Sequence, residues 1–220
     1  MRTFDAGCGN GAFSIFAAHI GNEVIAASFS ESEQESARRR AELLDVGGID
    51  FRIIDLRELA DHRDTLGTFD QIICLETIEH VGDDEGLVKS LSAMLKPGGR
   101  LMLSTPYDRH HPLYTEDPRP STVEDGSHVR FGYSQERLRE IVTAAGLRVD
   151  SESFVSGVVS QKLTDLMRRL SALAGLLPAW VAVLPLRGLV LLDRSLSRAL
   201  RYPYLSVAVC AVKGAAPSAA

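Results

Sequence analysis

Positive charge is in short supply in this chain. Its 220 residues carry 24 Lys and Arg against 29 Asp and Glu, a formal net charge of -5. The basic residues are spread along the sequence, so it lacks the stripe that neutralises a phosphate backbone, and no nucleic-acid partner is expected. Cysteine is scarcer. Cys8, Cys74 and Cys210 are odd in number and have neither the paired spacing of a zinc site nor the density of a disulfide framework, which points to a reducing, cytoplasmic setting. No basic segment leads into an apolar stretch and a small-residue cleavage site, because the first apolar segment runs straight into glycines. Strongly apolar stretches are few, and the notable uncharged one is Leu170 to Leu186. Gly175, Pro178 and Pro185 interrupt it and it is short for a bilayer span, so no transmembrane helix is expected.

What is present is alternation. Short β-branched or apolar runs at 1–5, 23–28, 51–55, 69–75, 99–105, 147–154 and 204–213 predict seven strands. Helical patterns fall between them near 11–20, 31–46, 84–95 and 134–145. Such alternation builds a parallel, doubly wound α/β sheet with helices on both faces. At 23.9 kDa and 45% hydrophobic residues the chain can bury one full core, so 1–220 is expected to form a single domain. Ligands of such sheets sit at the carboxyl ends of the strands, beside the point where strand order reverses.

The turn after the first strand is therefore the expected site. In "FDAGCGNGAF", residues 4–13, Gly7, Gly9 and Gly11 separate strand from helix, where missing side chains let a ligand approach the backbone and the helix N-terminus. With Ala12 the spacing also fits a dinucleotide fingerprint. Asp5 argues against that, since a carboxylate suits a cationic amino group better than a pyrophosphate. "DAGCGNG" resembles the first motif of the class I S-adenosylmethionine-dependent methyltransferases, close to the ubiquinone-pathway O-methyltransferases. "RIIDLRE" (52–58), "FDQIICLETIEHV" (69–81) and "LKPGGRLMLSTP" (95–106) resemble further segments of that family in the same order.

The resemblance implies a Rossmann-like seven-stranded sheet whose last strand is antiparallel, with S-adenosyl-L-methionine as cofactor. It implies cofactor contacts from Asp5, Gly7, Cys8, Gly9, Asn10 and Gly11 in the first turn, from Ser28 and Phe29 after strand two, from Asp55 and Leu56 after strand three, and from Leu75 and Glu76 after strand four. Asp5 would face the methionine part and Asp55 the adenine amino group. Two departures stand out. The family's ribose-binding acid at the end of strand two is here Ser28, whose single hydroxyl replaces only part of a bidentate contact, so ribose recognition is expected to be weaker or shared with Glu31. Relatives also carry some tens of residues before the first motif, and an N-terminal lid is expected to be missing from this chain.

"ETIEHV" carries the chemistry. An oxygen acceptor must lose a proton as the methyl arrives, and His80 is the candidate base, with Glu79 and His128 beside it as catalytic candidates. The spacing of Glu76, Glu79 and His80 also resembles the metal-binding motif of the ubiquinone-pathway and small-RNA 2'-O-methyltransferases, so a divalent cation is a second reading, not the favoured one. The segment 106–133, with His110, His111, His128, Arg130 and three tyrosines, is expected to wall the acceptor site. The apolar segment 156–203 is expected to be a helical insertion that packs on the sheet edge, covers a greasy acceptor or pairs two subunits. The sequence thus reads as a methyltransferase of a small, lipophilic molecule, at oxygen by in-line displacement. A carbon or nitrogen acceptor, a cofactor-binding relative without activity and an NADP-dependent oxidoreductase are the alternatives.

Overall fold

In a computed structural model, which describes residues 1–110 and 120–215, seven strands form one sheet in the order β3-β2-β1-β4-β5-β7-β6. These are β1 (Arg2–Ala6), β2 (Glu23–Ser28), β3 (Ile49–Ile53), β4 (Phe69–Leu75), β5 (Leu95–Pro106), β6 (Leu147–Val155) and β7 (Ser206–Lys213). The first five pair in parallel, while β7 runs antiparallel between β5 and β6. The central strands read as continuous apolar runs because helices cover both their faces. In β1, Thr3, Phe4, Asp5 and Ala6 are all buried. Phe4 stacks on Phe69 of β4 with ring centroids 5.2 Å apart, fixing the middle of the core.

Three of the helices start where a side chain caps them. In α2 (Glu31–Leu43), Ser30 accepts from the Glu33 amide, and acidic residues fill the first turn, as the helix dipole favours. Asp83 caps α4 (Asp84–Met94) and Ser134 caps α5 (Gln135–Ala144). The helix α1 (Ala12–His19) follows the glycine turn, and α3 (Arg63–Leu66) is a single turn.

The boundaries differ from the sequence expectation at instructive places. The third strand ends at Ile53, so Asp55 is free to cap a 3-10 turn at Leu56–His62 by accepting from the Arg57 amide. The fifth strand begins at Leu95, and "KPGG" is carried inside it. The second helix stops at Leu43, followed by Asp45 with a left-handed φ of 52°.

Between β6 and β7 the insertion is helical, as expected: α6 (Val158–Ala174), α7 (Leu176–Val183), a 3-10 segment (Leu184–Leu192) and α8 (Asp193–Ala199). Leu176–Ala199 is a 24-residue helical run of mean hydropathy 1.7, long and apolar enough to cross a membrane by length and composition. Only 17% of its apolar window is buried.

Candidate functional site

The sheet order reverses at β1, whose neighbours are β2 and β4, and a cleft opens at the carboxyl ends of those strands. Gly7 lines it with φ +82°. A Cβ there would meet Thr77 Oγ1 at 2.4 Å, so the first turn and the turn after β4 can approach each other only through a glycine. Gly9 also lines the cleft, and a Cβ at Gly11 would meet that of Ala37 at 2.8 Å. The amides of Gly7 and Cys8 both donate to the Ala27 carbonyl, at 2.9 and 2.8 Å, so these two donors are spent on the fold rather than on a ligand.

Five of the expected cofactor contacts are not among the residues lining the cleft: Asp5, Cys8, Asn10, Gly11 and Leu75. Asp5 is buried and accepts from Ser14 Oγ of α1 at 2.5 Å. Burial pushes its pKa up to about 6, against the opposing pull of Ser14. Its visible role is to tie the first strand to the helix that follows the turn. Cys8 is buried, with its thiol pushed up to about 12 by desolvation first and by the Asp5 charge second. Asn10 accepts from Arg40 at 2.8 Å.

Ser28, Phe29, Asp55, Leu56 and Glu76 do line the cleft, together with Glu33, Arg57, Thr77, Val81, Glu124 and Gly126, which the sequence did not single out. The Ser28 hydroxyl donates to Glu33 Oε2 at 2.7 Å and accepts from the Ser30 amide at 3.2 Å. A carboxylate therefore stands beside the end of β2 in the cleft, from Glu33 in the first turn of α2, while Glu31 is not among the lining residues. A signal existed in "SESE": Ser30 and Glu33 have capping-box spacing, which turns Glu33 back toward the helix start. Asp55 forms a forked pair with Arg57, whose hydrogen bonds hold its carboxyl below the usual range. Arg57 in turn donates to the Glu124 carbonyl at 3.1 Å. A Cβ on Gly126 would lie 2.9 Å from the Phe29 ring, so the 120s loop closes on that ring only because position 126 has no side chain.

The turn after β4 places the reactive groups. Glu76 has a left-handed φ of 52°, and its two carboxylate oxygens accept from Ser104 at 2.7 Å and from Ser206 at 3.1 Å. Desolvation raises its pKa. Glu79 is fully buried. Thr105 donates to its Oε2 at 3.1 Å, while Oε1 has no hydrogen-bond partner among the described residues. Burial and then the neighbouring Glu76 charge push it up to about 8.

His80 opens on the cleft, with Nε2 3.8 Å from Glu79 Oε1, beyond hydrogen-bond range. The His128 ring meets the His80 ring edge-on at 4.5 Å. Donor atoms of Glu79, His80 and His128 lie within 4.8 Å of one another, a set of one carboxylate and two imidazoles that could hold a divalent cation. Glu76, the third expected metal ligand, is outside this group because its oxygens are turned to Ser104 and Ser206.

Of the segment 106–133, Glu124 and Gly126 line the cleft. Its 120–133 portion is pinned by Arg130, which donates to the carbonyls of Val81 and Gly82, both at 2.8 Å, and pairs with Asp84 at 3.2 Å. The Val129 amide donates to the Glu79 carbonyl. His110 contacts the Tyr107 carbonyl through Nδ1. His111 and Tyr114 lie outside the described residues.

The parallel sheet with an antiparallel seventh strand inserted before the sixth, and a cleft at its switch point, have the architecture of the class I S-adenosylmethionine-dependent methyltransferases. Residues 1–152 match the family described as "Methyltransferase domain", and the chain belongs to that family. It is 34% identical over 104 residues to the ubiquinone biosynthesis O-methyltransferase of Acinetobacter baylyi, a match covering 47% of this chain and 43% of that protein. The matched region is therefore less than half of the relative. Among solved structures, the cyclase SpnF superposes with a TM-score of 0.64 at 19% identity, covering 98% of this chain and 75% of that one. The magnesium protoporphyrin IX methyltransferase of Synechocystis PCC 6803, with bound S-adenosylmethionine, superposes with a TM-score of 0.56 at 19% identity, covering 96% and 69%. These two likenesses concern the fold.

Proposed function

We propose that this protein transfers the methyl group of S-adenosylmethionine to an oxygen of a small, lipophilic acceptor, with His80 as general base. The observation that carries the reading is the opening of His80 on the cleft, at the carboxyl end of β4, across from the glycine turn. The cofactor, when bound, supplies an electrophilic methyl on a sulfonium sulfur. Asp55 and Phe29 line the expected adenosine end, and Ser28 with Glu33 presents a carboxylate suited to a pair of ribose hydroxyls. His80 Nδ1 is buried and unpartnered among the described residues, which leaves Nε2 to take the acceptor proton as the new oxygen–carbon bond forms. The relative's name supports oxygen as the accepting atom. A cytoplasmic setting belongs to the same reading, consistent with free thiols at Cys8, Cys74 and Cys210.

The test is His80→Ala. Turnover, read as S-adenosylhomocysteine released in a screen of phenolic, sugar and lipid-linked acceptors, is expected to fall by roughly two to four decades with cofactor affinity nearly unchanged. Wild-type turnover in that variant would remove the base. The closeness of the Glu79, His80 and His128 donors favours a second reading, a cation at the acceptor. In that case EDTA abolishes activity, magnesium, manganese or cobalt restores it, and His128→Ala fails along with His80→Ala. A carbon or nitrogen acceptor would show as turnover only with such substrates. Binding of S-adenosylmethionine without turnover on any acceptor would indicate a non-catalytic relative, and calorimetric binding of NADPH in its place an oxidoreductase.

A further inference from the structure

Residues 156–203 contain seven Lys and Arg but only two Asp and Glu, so the rest of the chain has ten more acidic than basic residues. The same segment exposes large apolar side chains: Leu173, Leu177 and Leu191 are 84%, 75% and 89% accessible, and Leu176, Val181 and Trp180 are also exposed. No residue of the segment lines the cleft, so this apolar surface does not cover the cofactor site.

The base of the insertion is firmly seated. Asp193 of α8 is buried and accepts from the Gly157 and Val159 amides, at 2.8 and 2.7 Å, and from Ser160 Oγ at 2.6 Å. Ser197 accepts from the Val158 amide at 2.8 Å. The insertion leaves the sheet after Val155 and returns at Ser206, which pairs with Pro106 at the carboxyl end of β5. That is the edge on which the cleft opens, and Ser206 Oγ donates to Glu76.

We propose that the α6–α8 insertion is a membrane-surface anchor that lies in the headgroup region of an anionic phospholipid bilayer and holds the catalytic edge against it. A basic segment with exposed leucines and a tryptophan has the composition of a segment that lies in the interface. The segment lies on the bilayer and does not cross it. Its apolar run changes from α-helix to a 3-10 segment at Pro185, carries Arg187 mid-length beside Trp180, and ends in Asp193 and Ser197, both committed to the protein body. A second copy is the poorer occupant, because a two-fold contact through this surface would set two basic segments against each other. The inference does not depend on the acceptor or on the reaction.

The experiment is cosedimentation of the full chain with vesicles of phosphatidylcholine alone and of phosphatidylcholine with one quarter phosphatidylglycerol. Sedimentation velocity without lipid reports the oligomeric state. The protein is expected to partition at least tenfold more strongly onto the anionic vesicles and to be released by high salt. Arg187→Gln, Arg194→Gln and Arg198→Gln together should weaken that binding on the order of a hundredfold. Leu177→Asp with Leu191→Asp, at positions too exposed to disturb the fold, should abolish it. Unfolding temperature and calorimetric S-adenosylmethionine binding confirm that each variant is folded, so loss of the anchor is separable from loss of the cofactor site. Equal partitioning onto both vesicles, no partitioning, or a lipid-free dimer that the two aspartates dissociate would each overturn the proposal.

Discussion

At the residue scale the site turns on where carboxylates are placed. Glu33 lines the cleft and accepts from Ser28, so on the proposed ribose contact Glu33→Gln should weaken S-adenosylmethionine by about one to two decades, the loss of a charge-assisted contact of roughly 1.5 to 3 kcal/mol. Ser28→Asp, the replacement that would restore the family acid, should loosen cofactor binding, because it sets a second carboxylate against Glu33 in a buried position. Calorimetry on both variants checks the pair, and wild-type affinity in Glu33→Gln would place the ribose elsewhere. Glu79 contributes to the pH dependence of stability, beside the buried Asp5 and Glu76. Its folded pKa of about 8 exceeds its unfolded value of 4.5, so the folded state binds the proton more tightly. The stability this confers is complete below about pH 4.5 and is lost as the pH rises through about 8. Glu79→Gln removes that titration, so its urea midpoint relative to wild type should improve between pH 5 and pH 9.

At the element scale, Arg130 adds side-chain ties for 120–133 to the Val129 and Arg57 contacts. Arg130 joins the loop to the Val81 and Gly82 carbonyls, to Tyr133 Oη at 2.7 Å and to Asp84. An Arg130→Lys change keeps the charge but not the fork that spans these partners. Amide exchange across 120–133 should quicken at least tenfold in that variant, while the β1 and β4 amides keep their protection. Uniform loss of protection would mean that Arg130 holds the whole domain. The same loop depends on Gly126 against Phe29, a contact that spacing alone does not announce.

At the scale of the molecule, cofactor binding and folding are linked. Saturation with S-adenosylmethionine at a hundred times its dissociation constant should add about 2.7 kcal/mol, raising the unfolding temperature by roughly 5 to 11 °C for a chain of this size. NADPH at equal concentration should leave it unchanged. The reverse result in thermal melts would discard the methyltransferase reading.

The sequence by itself determined the sheet and the place of its cleft. Alternating apolar runs and helical periods leave few ways to bury both faces of a parallel sheet, and three glycines before α1 mark where backbone must come close. It also put Glu79 and His80 on one turn, since neighbours in sequence remain neighbours in space. What only the tertiary structure decided are the contacts between segments far apart: Ser14 on Asp5, Ser206 on Glu76, His128 on His80 and Glu124 on Arg57. It also set the Glu33 carboxylate, from a helix, against Ser28 at the strand end. Whether a carboxylate is charged, and toward which group it points, depends on burial and on partners that the fold brings from elsewhere in the chain. Local pattern carries no record of either.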